Sequence, residues 1–416
     1  MLMARLEHTA TLLPNGQVLV TGGYNSHNGS LTNVDIYDPS TQTWSLNAGM
    51  QTARYRHTAT LLTNGQVLVA GGISGGSSCE LFDPASGTWT NTGSLNVGRY
   101  DHIATLLKNG QVLVAGGSDN NAFTITNAEI YDPNTRVWTA VNGMSVPRSL
   151  PTATLLPNGM VLVAGGGAAS ISAIYYSSAE IYDPSTGRWI GTRSMATPRV
   201  RHSATLLLNG KVLVAGGQNG TRPPAHPTLS SAELYDPATG KWTPASDMNF
   251  PRSWFTATLL PSGRVLAAGG QDFGYYNNAE VYDPMADAWT LTSNSMNRAH
   301  ADHVATRLSN GTILVTGGYN ATNGYLINTE LYYPDPAIAS TIFVKGAAMS
   351  SGGPFQLTFT NTPGATFSVS VTTNLSFALS NWTILNGVLE ISPGQFQFTD
   401  LSATNGGQSF YCVHSP

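Results

Sequence analysis

Charge is scarce in this chain: Asp, Glu, Lys and Arg make up 10% of 416 residues and sum to a formal net charge of −4. It has no basic run or patch, which excludes nucleic-acid binding by phosphate neutralisation. Cysteine is scarcer still. Cys79 and Cys412 are too few and too far apart for a disulfide scaffold, and they lack the CxxC spacing of a metal site. No apolar run reaches the length of a membrane-spanning helix. What is plentiful is Gly (44) and Pro (23), with many Thr, Ser and Asn, a composition of turns and strands. The chain opens inside a repeat, and no signal peptide is expected within it. Low charge and Thr/Asn-rich strands give the expectation of a secreted bacterial protein.

Self-similarity dominates the rest. Seven Gly-Gly pairs begin at Gly22, Gly71, Gly116, Gly165, Gly216, Gly269 and Gly317, spaced by 49, 45, 49, 51, 53 and 48 residues. Each closes a run such as QVLVTGG (17–23), which follows a turn such as Asn15-Gly16 and a preceding TATLL. Two apolar runs joined by Asn-Gly read as a hairpin. A loop follows, then DIYDP (35–39) or a variant, and a Trp stands six residues after the second Asp: Trp44, Trp89, Trp138, Trp189, Trp242 and Trp289. Asp-Pro starts a tight turn. Each unit therefore predicts four strands, a to d, with b buried on both faces. One such sheet cannot cover both faces alone, whereas sheets stacked around an axis can.

This pattern resembles the kelch repeat, in the variant of the galactose-oxidase central domain. The resemblance covers about 1–336 and implies an all-β, seven-bladed propeller. In such propellers the b–c loops and d–a connections share one mouth. Beyond it, 337–416 predicts a small β-sandwich from runs such as PFQLTFTN and QFQFTD. That tail resembles short C-terminal domains of secreted bacterial proteins. The seventh repeat lacks its Trp. Its outer strand is expected from upstream of Met1, from Ala339–Val344, or not at all.

Only the segment between the glycine pair and strand c varies freely in length. From second Gly to the acid of strand c it measures 12, 8, 12, 14, 16, 10 and 12 residues. Even steps lengthen a hairpin without flipping its faces. The variable face is thus the expected binding face. Its non-repeating side chains are Tyr24, His27, Tyr55, Tyr100, Asp101, Tyr175, Tyr176, Arg222, His226, Trp254, Phe273, Tyr275, Tyr276, Tyr319 and Tyr325. Aromatic rings beside polar groups suit sugars, although tyrosines also pack long hairpins. Asp101, Asp272 and Asp302 are candidate acid–base groups.

Repeated residues read as structural. Arg5, Arg54, Arg99, Arg148, Arg199 and Arg252, with His300 in the seventh copy, are expected to tie down the acids Asp35, Glu80, Glu129, Glu180, Glu233, Glu280 and Glu330. His8, His57, His102, His202 and His303 open strand a, and a hydrogen-bonding role is expected over a metal. The resemblance implies a copper site built on a Tyr-His dipeptide and a tyrosine–cysteine cross-link. No Tyr-His occurs here; the preceding residues are Glu7, Arg56, Asp101, Arg201 and Asp302. Cys79 takes the place of small alanines. No cofactor and no metal are expected. The leading expectation is a monomeric module for a glycan or other polar ligand, or for a protein partner. An enzyme on the same face and a purely structural module are the alternatives.

Overall fold

The computed structural model describes residues 1–168, 174–220 and 227–334, and then the stretches 343–349, 355–360, 368–372, 383–385, 388–392, 395–400 and 410–414. Every described element is a strand. No helix is long and apolar enough to cross a membrane. Two compact units emerge, Met1–Leu260 with Arg264–Pro334, and Pro261–Gly263 with Asp335–Pro416.

In the first unit each repeat forms one antiparallel sheet in the order a-b-c-d. In repeat one the strands are Thr9–Leu12, Val18–Thr21, Val34–Asp38 and Thr43–Asn47. Six sheets have four strands. The seventh, made of Val304–Arg307, Ile313–Thr316 and Thr329–Tyr332, has three among the described residues. Of the Ala339–Val344 alternative, 339–342 lie outside the described residues. Phe343 and Val344 pair with Thr360 and Phe359 in the other unit, and so do not extend the seventh sheet. Strand a of each repeat lies against strand a of the next, and Val304–Arg307 lies back against Thr9–Leu12, closing a circuit of seven. Every strand b is wholly buried, from Val18 at 0% exposure to Leu314 at 0%. The apolar b runs thus supply the layers between sheets, and their burial is the main stabilising term.

The repeated polar residues tie the sheets together. Arg54 donates to Gly71 O at 2.7 Å and to Glu80 Oε1 at 2.8 Å, while the other Glu80 oxygen accepts from Gln51 N–H. Equivalent ion pairs join Arg5–Asp35, Arg99–Glu129, Arg148–Glu180, Arg199–Glu233 and Arg252–Glu280 at 2.7–3.0 Å. In repeat seven both ring nitrogens of His300 take this place, on Gly317 O and Glu330. All six arginines are fully buried, so each charge depends on its partners. The strand-opening histidines reach across repeats: His57 Nε2 bonds Thr9 Oγ1 at 3.0 Å, His102 bonds Thr58, and His8 bonds Thr316. In repeats one to six the Asp-Pro turn is held by its Asp accepting an amide two residues on, as at Ser40 on Asp38.

The second unit contains two antiparallel sheets. One is ordered Phe343–Met349, Phe355–Thr360, Gln395–Asp400 and Leu389–Ser392. The other is ordered Thr383–Leu385, Ser368–Thr372 and Phe410–His414. Leu357, Val369 and Phe398 are buried in it.

Candidate functional site

The d–a connection and the b–c loop meet on one face in all seven repeats, through isolated bridges such as Leu6 with Tyr24, Tyr55 with Ile73 and Ala301 with Tyr319. The variable loops gather here. The uniform a–b turns around Gly16, Gly65 and their equivalents lie at the opposite ends of strands a and b.

One backbone feature recurs on this face. The residue before strand a is left-handed in every repeat: Glu7, Arg56, Asp101, Leu150, Arg201, Trp254 and Asp302, with φ between 53° and 58°. Glycine tolerates that conformation, whereas side chains there cost roughly 1–3 kcal/mol each. Neighbouring members bond through their backbones: Arg56 N–H to Glu7 O at 3.1 Å, Asp101 N–H to Arg56 O at 3.3 Å, Leu150 N–H to Asp101 O at 3.0 Å and Asp302 N–H to Trp254 O at 3.1 Å. Seven different repeats therefore contribute to one ring at the mouth. Its side chains follow no repeat: three carboxylic acids, two arginines, a leucine and a tryptophan.

The ring is charged and internally paired. Arg56 bridges Glu7 at 2.6 Å and Asp101 at 3.3 Å. Arg201 lies 4.2 Å from the ring centroid of Trp254 and donates to Gln218 Oε1 at 2.9 Å. Asp302 has no Lys, Arg or His nitrogen within 4.0 Å among the described residues. Burial, reinforced by the Glu7 charge and only partly offset by Arg201 and Arg56, pushes its carboxyl up to about 8. Burial likewise raises Asp101 to about 6, against the pull of Arg56. A carboxyl protonated near neutrality, beside ionised ones, is the arrangement of a proton donor. A cleft of about 260 Å³ opens beside Asp101, lined also by Arg56, Tyr100, Ser149, Tyr175 and Arg201.

Next to the ring runs an arc of tyrosines. Centroid separations are 5.7 Å for Tyr275–Tyr319, 5.5 Å for Tyr319–Tyr325, 5.9 Å for Tyr325–Tyr24 and 5.1 Å for Tyr24–Tyr55. Tyr55 is close enough to Glu7, and Tyr275 to Asp302, for each acid to raise the phenol further beyond what burial does. The structure thus brings Tyr24, Tyr55, Tyr100, Asp101, Tyr175, Trp254, Tyr275 and Tyr325 of the sequence candidates to one mouth. Tyr176 and Tyr276 do something else: each packs 5.4 Å over a buried guanidinium, Arg148 and Arg252, at the base of its hairpin. His27 is exposed and Phe273 fully so. Arg222 and His226 lie outside the described residues. Glu7, Arg56, Leu150 and Arg201 were not singled out from sequence as ligand-facing. Their signal was a fixed place before strand a filled by unlike residues.

Comparison with known proteins agrees with this architecture. The pattern of the KLHDC2/KLHL20/DRC7 Kelch-repeats domain matches residues 7–217, and the Kelch motif matches 199–249 and 258–296. Kelch-like protein 7 of Rattus norvegicus is 32% identical over 124 residues, 30% of this chain and 20% of that protein. Galactose oxidase of Gibberella zeae is 30% identical over 89 residues, 21% of this chain and 12% of that protein. The chain therefore corresponds to a minor part of each relative's length. A solved structure titled "Novel fungal alcohol oxidase with catalytic diversity among the AA5 family, in complex with copper" superposes with a TM-score of 0.66 at 17% identity, covering 99% of this chain and 94% of that one. At that identity the likeness is one of fold.

Among the described residues the donors do not fit copper. The five strand-opening histidines are buried, each in a different repeat, with Nε2 engaged by a threonine of the neighbouring repeat. Cys79 lies within the apolar layer between repeats two and three, its thiol pushed up to about 11 by burial. Among the described residues no three His, Cys, Asp or Glu side chains gather as a metal set. With glycine pairs, Asp-Pro turns and spaced tryptophans recurring through sheets of one build, and with half its length matched by the family pattern, the chain belongs to the kelch-repeat family.

Proposed function

We propose that this protein is a seven-bladed recognition propeller that binds a glycan at the mouth carrying the b–c loops. The observation that carries the reading is the tyrosine arc Tyr275–Tyr319–Tyr325–Tyr24–Tyr55 next to a polar ring. Rings of this kind stack on sugar C–H faces while neighbouring polar groups take the hydroxyls. The left-handed residues support it too, because backbone strain is retained where the surrounding structure holds it for a purpose. An extracellular setting belongs to the same reading, on the low charge and Thr/Asn-rich strands.

The test is a glycan array probed with the purified protein and with Tyr24→Ala and Trp254→Ala. Specific hits weakened at least tenfold by either substitution, at unchanged melting temperature, are expected. An array without hits overturns the reading and leaves a protein-interaction role, which kelch domains commonly have. A second reading is an acid–base enzyme on the same sugar class. It is favoured by one observation, the raised proton affinities of Asp101 and Asp302 in one ring. Turnover of an array hit, abolished by Asp302→Asn, distinguishes it.

A further inference from the structure

The cleft beside Asp101 is bounded by the b–c loops of repeats three and four, with Ala122 on one and Tyr175 on the other, and it reaches the ring at Arg56, Asp101 and Arg201. Two guanidiniums and one carboxylate of the ring therefore line it. Arg56 is engaged by acids, Glu7 at 2.6 Å and Asp101 at 3.3 Å, and the second contact neutralises Asp101 as well. Arg201 is different. The acceptor it meets is Gln218 Oε1, a neutral amide oxygen, at 2.9 Å. That amide is itself held, because its Nε2 donates to Ser253 Oγ at 3.2 Å. Trp254 packs on the same guanidinium, 4.2 Å from its ring centroid.

No ion pair among the described residues includes Arg201. The stretches 169–173 and 221–226, which lie outside the described residues of this unit, contain no Asp or Glu. Asp302 and Asp101 act on Arg201 only from beyond ion-pair distance. Its Nε is buried and meets no acceptor among the described residues. A guanidinium held by Gln218 and Trp254, with its charge unpaired and a donor unmet, is prepared for a carboxylate, the partner that its planar fork matches best.

The remaining lining suits a sugar ring more than a bare anion. Tyr100 and Tyr175 bring aromatic surface, and Ser118 and Ser149 bring hydroxyls 3.4 Å apart. The volume of about 260 Å³ falls just short of the roughly 300–1,000 Å³ of sites for drug-sized ligands, which suits a single sugar unit.

We propose that this cleft binds a hexuronate unit of an acidic glycan, with the sugar carboxylate on Arg201. The inference rests on the glycan reading and narrows it to sugars that carry a carboxylate. The methyl ester of the same sugar keeps its shape but brings no charge to Arg201.

Isothermal titration calorimetry at pH 7 tests this with four ligands: the tetramers of α-1,4-galacturonate and β-1,4-mannuronate, the methyl ester of the first, and tetraglutamate. At least one acidic sugar should bind tenfold or more tightly than the ester and the peptide. Arg201→Gln, at unchanged melting temperature, should remove that preference while leaving the weaker binding of the ester in place. Tyr175→Ala, a change in the hairpin wall that leaves the guanidinium intact, should weaken the acidic sugar at least fivefold. Equal binding of acid and ester overturns the inference and leaves the glycan reading standing. Absence of binding by both acidic sugars at millimolar concentration also overturns it, whereas the glycan reading falls only with a silent array. Tetraglutamate bound as tightly as the sugars overturns it in favour of an acidic peptide. A preference that survives Arg201→Gln, or acid binding untouched by Tyr175→Ala, removes this cleft from the site.

Discussion

Gly318 N–H donates to Arg5 O at 2.8 Å, joining residues 313 positions apart and coupling the last repeat to the first. The same bond recurs between consecutive repeats, as from Gly23 to Arg54 and from Gly117 to Arg148. Closure therefore uses the contact that builds every other interface. Beside it, Gly317 has φ +61°, and a Cβ there would stand 2.6 Å from Arg5 O and 2.7 Å from the His8 ring.

Gly317→Ala should accordingly weaken the first unit by more than about 1 kcal/mol, since an L side chain is strained at that φ and meets backbone of the facing repeat. Urea denaturation followed by tryptophan fluorescence measures it. Gly29, left-handed at +71° but with open space around its would-be Cβ, provides the control for strain without a clash. Equal losses at both positions would show that closure adds nothing.

Arg99 carries one of the six buried ion pairs, donating to Glu129 at 2.7 Å, to Gly116 O at 3.1 Å and to Asn127 O at 2.8 Å. Arg99→Met leaves Glu129 buried with only amide partners and takes one donor from each of the carbonyls of Val97, Gly116 and Asn127. A loss of about 3–5 kcal/mol is expected. Arg99→Met combined with Glu129→Leu should recover part of it, because removing both charges removes the uncompensated one. The denaturation midpoints of the single and double variants decide this.

Stability should fall in mild acid, and the sign follows from the histidines. Burial depresses His102, His202 and His303 to about 3, and His8 and His57 well below their ordinary value, next to buried arginines or other histidines. The unfolded chain takes up these protons near pH 6.5 and the folded chain does not, so their contribution is complete above 6.5 and is lost as pH falls towards 3. Each costs about 1.4 kcal/mol per pH unit in that window. Asp302 and Asp101, raised in the folded state to about 8 and about 6, act in the opposite sense, weakening the fold as pH rises above about 4. Five groups outweigh two. The melting temperature should drop between pH 6.5 and 4.5, and His202→Phe, copying the Phe255 of repeat six, should make the drop shallower. A slope unchanged by His202→Phe would contradict the assignment.

How much was legible beforehand differs between fold and site. The Asn-Gly turns, the glycine pairs and the Asp-to-Trp spacing are local chemistry, and each dictates its own stretch of backbone: a left-handed turn at Gly16, an Asx-held turn at Asp38, a Tyr37–Trp44 ring contact at 5.1 Å. Copied from repeat to repeat, such stretches predict the sheet they build. The arginine and acid columns were readable for the same reason: each arginine stands 17 residues before its glycine pair, and the acid of repeats one to six stands three residues before the Asp of the Asp-Pro turn. Tyr176 and Tyr276 were not separable from Tyr175 and Tyr275 by composition, because adjacent residues of a hairpin point to opposite sides and only the packed loop shows which side faces Arg148 or Arg252.

What the chain's order of residues determined unaided was the repeating unit, since turns and alternating strands depend on neighbours a few positions apart. What only the tertiary structure decided was the mouth. Glu7, Arg56, Asp101, Arg201, Trp254 and Asp302 are tens of residues apart and share no motif, so their meeting depends on how far each sheet is rotated from the last. The pairing of Arg56 with two acids arises because charges interact across space over a few ångströms, a distance that separation along the chain does not encode.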